Sequence, residues 1–143
     1  MDQPAKLSEH FTLEEGMTTE HRNVDNTPTP AAFRNMKISA RGMELVRELL
    51  GFAIFVRSWF RCLSLNAMVG GSPTSDHPNG WAIDFVCPQF GTPLEICRAI
   101  VGSDIKFDQL IQEGAWVHIS FAPRMRGEVL TKNAAGVLVR GLH

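Results

Sequence analysis

Two histidines and an aspartate carry the residue types that could do chemistry. His77 and Asp84 lie seven residues apart, with the turn signal Pro78-Asn79-Gly80 between them. His118 follows 34 residues beyond Asp84, inside the strand-like run Trp116-Val117-His118-Ile119-Ser120. Two neutral imidazoles and one carboxylate suit a catalytic zinc centre, which takes three protein ligands and leaves the fourth position to water. Trp81-Ala82-Ile83-Asp84-Phe85 reads as a strand with Ala82 and Asp84 on one face. A carboxylate on the small-residue face of an apolar strand needs a partner, because burying it alone is costly. A metal is one such partner. The spacing of the pair alone also suits a loop histidine and a capping aspartate, and His118 alone suits a satisfied core histidine.

The elements that must position these residues can be read from pattern. Thr12-Leu13-Glu14-Glu15 has the form of a capping box. From Pro30 to Leu50, Phe33, Met36, Ala40, Met43, Val46 and Leu50 step by three or four, which predicts a long amphipathic helix capped by Gly51, with Gly42 a weak spot. Residues 52–58 read as a buried strand and 61–69 as a short helix ended by Gly70-Gly71. Thr92 or Pro93 opens a second amphipathic helix to Val101. Residues 105–112 and 115–121 read as paired strands around a turn or bulge at Glu113-Gly114. Residues 1–11 are expected as an extended, partly ordered lead-in and 122–143 as a loosely packed tail. Helices segregated from a small, mainly antiparallel sheet make the fold class α+β, in one domain over residues 1–143.

Composition narrows the function. The chain has 143 residues, 44% of them hydrophobic, enough for a core in one compact domain. A net charge of −1 and a pI near 6.5 argue against a nucleic-acid binder. No apolar run approaches the roughly 18 residues of a membrane span, so no membrane insertion is expected. Met1-Asp2-Gln3-Pro4 does not read as a signal peptide. Cys62, Cys87 and Cys97 share no CxxC spacing and read as small hydrophobes in a reduced protein. No GxSxG elbow offers a serine nucleophile.

The pattern Ser75, His77, Gly80, Ala82, Asp84 resembles the signature of the zinc D-alanyl-D-alanine peptidases, in particular their small phage-associated branch. Separated segments carry the likeness further. They are Leu7 to Glu15, Asp25-Asn26-Thr27-Pro28, Arg61 to Ser75, Phe107 to Ile111, and Trp116 to Ser120. The resemblance implies the fold shared by these peptidases and the Hedgehog signalling domain, with zinc held by His77, Asp84 and His118. Zinc would activate a water and polarise the scissile carbonyl. In many members the general base is a glutamate three residues before the last histidine. That position is Ala115 here, so Glu113 is assigned as base and Asp108 stands second. In a regular strand Glu113 and His118 would face opposite sides, and a bulge at Gly114 would correct this. Arg61 matches the family's substrate-facing arginine, although Trp59-Phe60 replaces the usual Gly-Tyr before it. Ser75 is expected to orient the site through a hydrogen bond, Asp76 to be a solvated loop residue, and Trp81 and Trp116 to line the cleft or pack beneath it.

These implications make the chain a zinc metallopeptidase acting as a monomer on peptidoglycan stem peptides, either as a carboxypeptidase or as an endolysin-type endopeptidase. It would be made in the cytoplasm and reach the wall after holin-type release or within a virion. Two alternatives stay open: a zinc-stabilised binding or virion structural protein without turnover, and a peptidase for peptides other than those of the wall.

Overall fold

Helix α2 (Pro30–Leu50) runs as the apolar stepping predicts. Thr29 caps it by accepting a hydrogen bond from the Ala32 amide, Pro30 opens it, and Gly51 closes it in the left-handed conformation at φ 74°. The computed structural model describes residues 5–143; the expected features of Met1 to Pro4 lie outside them. Met36, Ala40, Met43 and Val46 are fully buried, while Phe33 is only partly so. Gly42 is a packing site and not a weakness: a Cβ there would fall 2.5 Å from Cε1 of Phe121.

Six strands form one sheet in the order β1-β2-β4-β3-β5-β6. They are β1 (Phe55–Ser58), β2 (Ala82–Val86), β3 (Gln109–Gln112), β4 (Val117–Ser120), β5 (Glu128–Lys132) and β6 (Leu138–Arg140). Every pairing is antiparallel except β3 with β5. With α1 (Leu13–Gly16), α2, α3 (Leu63–Met68) and α4 (Pro93–Val101), the chain is α+β with a mainly antiparallel sheet. Both α1 and α4 begin with capping boxes, Thr12 with Glu15 and Thr92 with Glu95. Among the described residues, no helix is long and apolar enough to cross a membrane.

One face of the sheet closes the core. Ile83 and Phe85 of β2, Leu110 of β3, and Val117 and Ile119 of β4 join Met36 and Met43 of α2 and Ile96 and Ile100 of α4 in a single apolar cluster. Alternation then sends the intervening residues to the opposite face. There the register places Ser58, Asp84, His118 and Ile111 side by side across four strands.

Three further expectations are corrected. From Leu7 to Phe11 the lead-in is anchored: Leu7 and Phe11 are buried, and Ser8 Oγ (2.5 Å) and the His10 amide (2.7 Å) both donate to Glu44 on α2. The expected buried strand at 52–58 is an edge strand of four residues, with Phe55 exposed, because among the described residues no strand pairs with its outer side. The tail is paired backbone and not loose chain. β5 continues the sheet beyond β3, β6 pairs with β5, and Thr131 is buried, although most tail side chains stay exposed.

Candidate metal centre

His77 sits in a single turn of 3-10 helix, His77–Asn79, closed by Gly80 at φ 81°. A side chain at Gly80 is barred twice. The left-handed backbone disfavours it, and a Cβ would lie 2.6 Å from the carbonyl oxygen of Ala32 on α2. The Gly80 carbonyl accepts from Trp59 Nε1 at 3.1 Å and from Ser39 Oγ at 3.0 Å. The turn is therefore clamped to the long helix and to the segment after β1. Ser75 accepts from the His77 amide at 3.2 Å.

The buried His77 ring is held from behind. Its Nδ1 donates to the Trp59 carbonyl at 2.6 Å, which leaves Nε2 as a bare lone pair. Nε2 is buried without a hydrogen-bond partner and lies 3.3 Å from Asp84 Oδ2. On the other side His118 Nδ1 lies 2.9 Å from Asp84 Oδ1. Asp84 and His118 are directly opposed across the β2–β4 ladder, so the sheet itself fixes their separation. The rings of His77 and His118 meet edge to face with centroids 5.3 Å apart. One ligand atom from each residue falls within 4.8 Å of the others.

This set fits zinc. The 2.9 and 3.3 Å separations approach the roughly 3.3 Å edge of a tetrahedron with bonds of about 2.0 Å. The orphaned Nε2 of His77 is the atom such an ion would satisfy. Electrostatics agree. Burial works against ionised Asp84, yet the neighbouring His77 and His118 hold its carboxyl well below the usual range. Burial pushes His77 down against the pull of Asp84, which keeps the ring neutral as a ligand must be.

The three groups lie in a cleft of about 570 Å³ that Arg61, Ser75, Glu113 and Trp116 also line. Burial lowers the pKa of Arg61, opposed by the charges of Asp84 and Glu113. Its Nε is buried without a partner. Of the turn and the bulge expected at Glu113-Gly114, the structure has the turn. β3 ends at Gln112 and β4 starts at Val117, so Glu113 belongs to the connecting turn. Its amide donates to the Trp116 carbonyl at 3.1 Å, and Gly114 turns the chain at φ 93°. Strand alternation therefore does not apply to Glu113. Ala115 is exposed in the same turn. Trp116 lines the cleft and Trp81 does not.

Asp108, the second candidate base, is already engaged. It is buried and accepts from the Arg126 amide, Nε and a terminal nitrogen at 3.1, 2.9 and 3.0 Å, while Arg124 approaches to 3.1 Å. Asp76 is no solvated loop residue. It accepts from Ser120 Oγ at 2.8 Å and from Arg124 at 2.6 Å, which ties the His77 turn to the end of β4. Three contributors lie outside the sequence reading: the Trp59 carbonyl, Arg124 from the tail, and Asn26. The Asn26 side chain is the hinge pin of the Arg61 segment, donating to the Phe60 carbonyl and accepting from the Cys62 amide. Asn26 stands in a loop that matched the family resemblance, which was the one available signal. A backbone carbonyl and a tail arginine left none.

Two histidines and an aspartate on an α+β sheet, open to a cleft, make the ligand arrangement of a three-ligand metallohydrolase. The family profile described as Peptidase M15 matches residues 9–120, and the chain belongs to that family of zinc-dependent peptidases. No curated protein matches the chain in sequence.

Proposed function

We propose that this chain is a zinc metallopeptidase that hydrolyses peptide bonds in bacterial peptidoglycan stem peptides. The observation that carries the reading is the unpartnered, buried Nε2 of His77, facing Asp84 beside His118 in an open cleft. A zinc ion held by the three side chains would supply Lewis acidity, raising the acidity of a water and polarising the scissile carbonyl. The protein's own groups supply the rest. Trp59 fixes the His77 tautomer. Arg61, with a donor left unpaired, suits a peptide carbonyl or terminal carboxylate of the substrate. Glu113 is the carboxylate of the cleft that neither the metal set nor an arginine claims. It would take the proton of the attacking water and return it to the departing amine. The likeness to the phage-associated branch supports a monomer that reaches the wall after holin-type release or on a virion.

The test is zinc content of wild type and His118→Ala, with muropeptide digestion read by mass. One zinc per chain, lost in the variant together with cleavage, is expected, and the product masses distinguish carboxypeptidase from endopeptidase. Glu113→Gln should keep the zinc and lose cleavage. Zinc without cleavage in wild type would replace this reading with a zinc-stabilised binding protein. That alternative draws on Ala115 standing where the family's glutamate is usual.

A further inference from the structure

A second groove, of about 720 Å³, adjoins the metal cleft, and Arg61 and Val69 line both. Thr18, Glu20 and Arg22 line one part of it, Arg57 and Ser58 another. Its charges are unbalanced. Arg22, Arg57 and Arg61 line it with a single carboxylate, Glu20; among the described residues none of the three guanidinium groups enters an ion pair, although the charges of Asp84 and Glu113 reach Arg61 from the metal cleft. The far wall of the metal cleft is the opposite case: Arg124, Arg126 and Lys132 all meet carboxylates there.

Local structure aims one of these cations. Val56 pairs with Phe85 and Ser58 with Asp84, so Arg57 is an extra residue on β1, a bulge. Bulges re-aim a side chain. Here the Arg57 guanidinium lies 5.5 Å from the centre of the Trp116 ring, at the border of the two hollows.

We infer that the groove is an anion subsite: it takes carboxylates that the substrate peptide carries away from the scissile bond, and Arg22 and Arg57 set that preference. Unpaired guanidinium groups bind carboxylates through paired, charge-assisted hydrogen bonds. Confinement in a groove concentrates their field. Arg61 stands where a peptide lying along both hollows must pass. The inference rests on the peptidase reading for its substrate.

The test uses two synthetic stem peptides, identical except that side-chain and α-carboxylates remote from the cleaved bond are free in one and amidated in the other. Binding of twins that carry a non-hydrolysable isostere at the scissile bond is measured on the zinc-loaded chain by calorimetry, and cleavage of the peptides themselves is followed by mass. Wild type should bind the acidic peptide about tenfold more tightly, the gain of one or two charge-assisted contacts. The double variant Arg22→Gln/Arg57→Gln should lose that preference, Arg57→Lys should keep part of it, and Arg34→Gln on α2 should leave it intact. Equal binding of the twins to wild type overturns the inference, as does a preference that survives the double variant. Inorganic phosphate binding as tightly as the acidic peptide also overturns it, marking a phosphate site. Selective binding with neither peptide cleaved would sink the peptidase reading and leave the subsite standing.

Discussion

Gly80→Ala tests how the metal turn is held. Two penalties add. A left-handed backbone costs an L-residue roughly 1–2 kcal/mol, and Gly80 stands at φ 81°. The new methyl would lie 2.6 Å from the Ala32 carbonyl oxygen and 2.8 Å from Met36 Cγ, an overpacking of roughly 1–3 kcal/mol. A smaller term opposes them, since alanine stiffens the unfolded chain by about 0.4–1 kcal/mol. The net expectation is a loss of about 2–4 kcal/mol in urea unfolding of the metal-free protein. Gly51→Ala separates the terms. Gly51 has φ 74° but nothing within 4 Å of a Cβ, so it should lose only about 1 kcal/mol. If the strain displaces the turn, His77 moves with it, and zinc affinity should fall in Gly80→Ala but not in Gly51→Ala. Equal losses in the two variants, or unchanged zinc affinity in Gly80→Ala, would refute the claim that contact with α2 positions the ligand.

Asp108 makes stability pH-dependent. Burial pushes its carboxyl up, but hydrogen bonds from Arg126 and the charges of Arg124 and Arg126 hold it below the ordinary value of 3.8. A depressed folded pKa contributes stability that is present above 3.8 and lost as pH falls through the lower, folded value. Asp108→Asn should therefore cost about 1–3 kcal/mol at neutral pH, with the gap to wild type closing below 3.8, as read by thermal unfolding across pH. The thiols should separate under a disulfide reagent at neutral pH: the partly exposed Cys62 reacts while the buried Cys87 and Cys97 stay silent until unfolding. Burial pushes the Cys97 thiol up to about 12. Its contribution to stability is then complete below the ordinary value of 9.0 and lost as pH rises toward 12.

What could be read in the sequence follows the range of the interactions. α2 and α4 were legible to the residue because their caps and apolar stepping are local. The meeting of His77, Asp84 and His118 was legible because His77, Gly80, Ala82 and Asp84 fall within eight residues, and because alternation puts Asp84 and His118 on one face of their strands. The tail was misread because its valines and glycines carry little local signal, and β5 joins the sheet by pairing in parallel with β3, a non-local bond pattern. Asp76 was misread for the same reason, since its partners Ser120 and Arg124 lie 44 and 48 residues away. Glu113-Gly114 was legible as a turn or a bulge but not as which of the two, since only the pairing of β3 with β4 decides it.

The bulge at Arg57 has a second effect, on how the protein meets other copies of itself. Among the described residues β1 ends the sheet, and its outer backbone donors and acceptors face no strand. A flat, regular edge of that kind templates the addition of further strands and, with them, aggregation. Phe55 is exposed on it and would add apolar attraction. One surplus residue breaks the repeat of the edge, and that residue carries a positive charge. Deleting Arg57 would restore a regular edge beside an exposed phenylalanine, turning an irregularity of the cleft wall into a lesson in solubility.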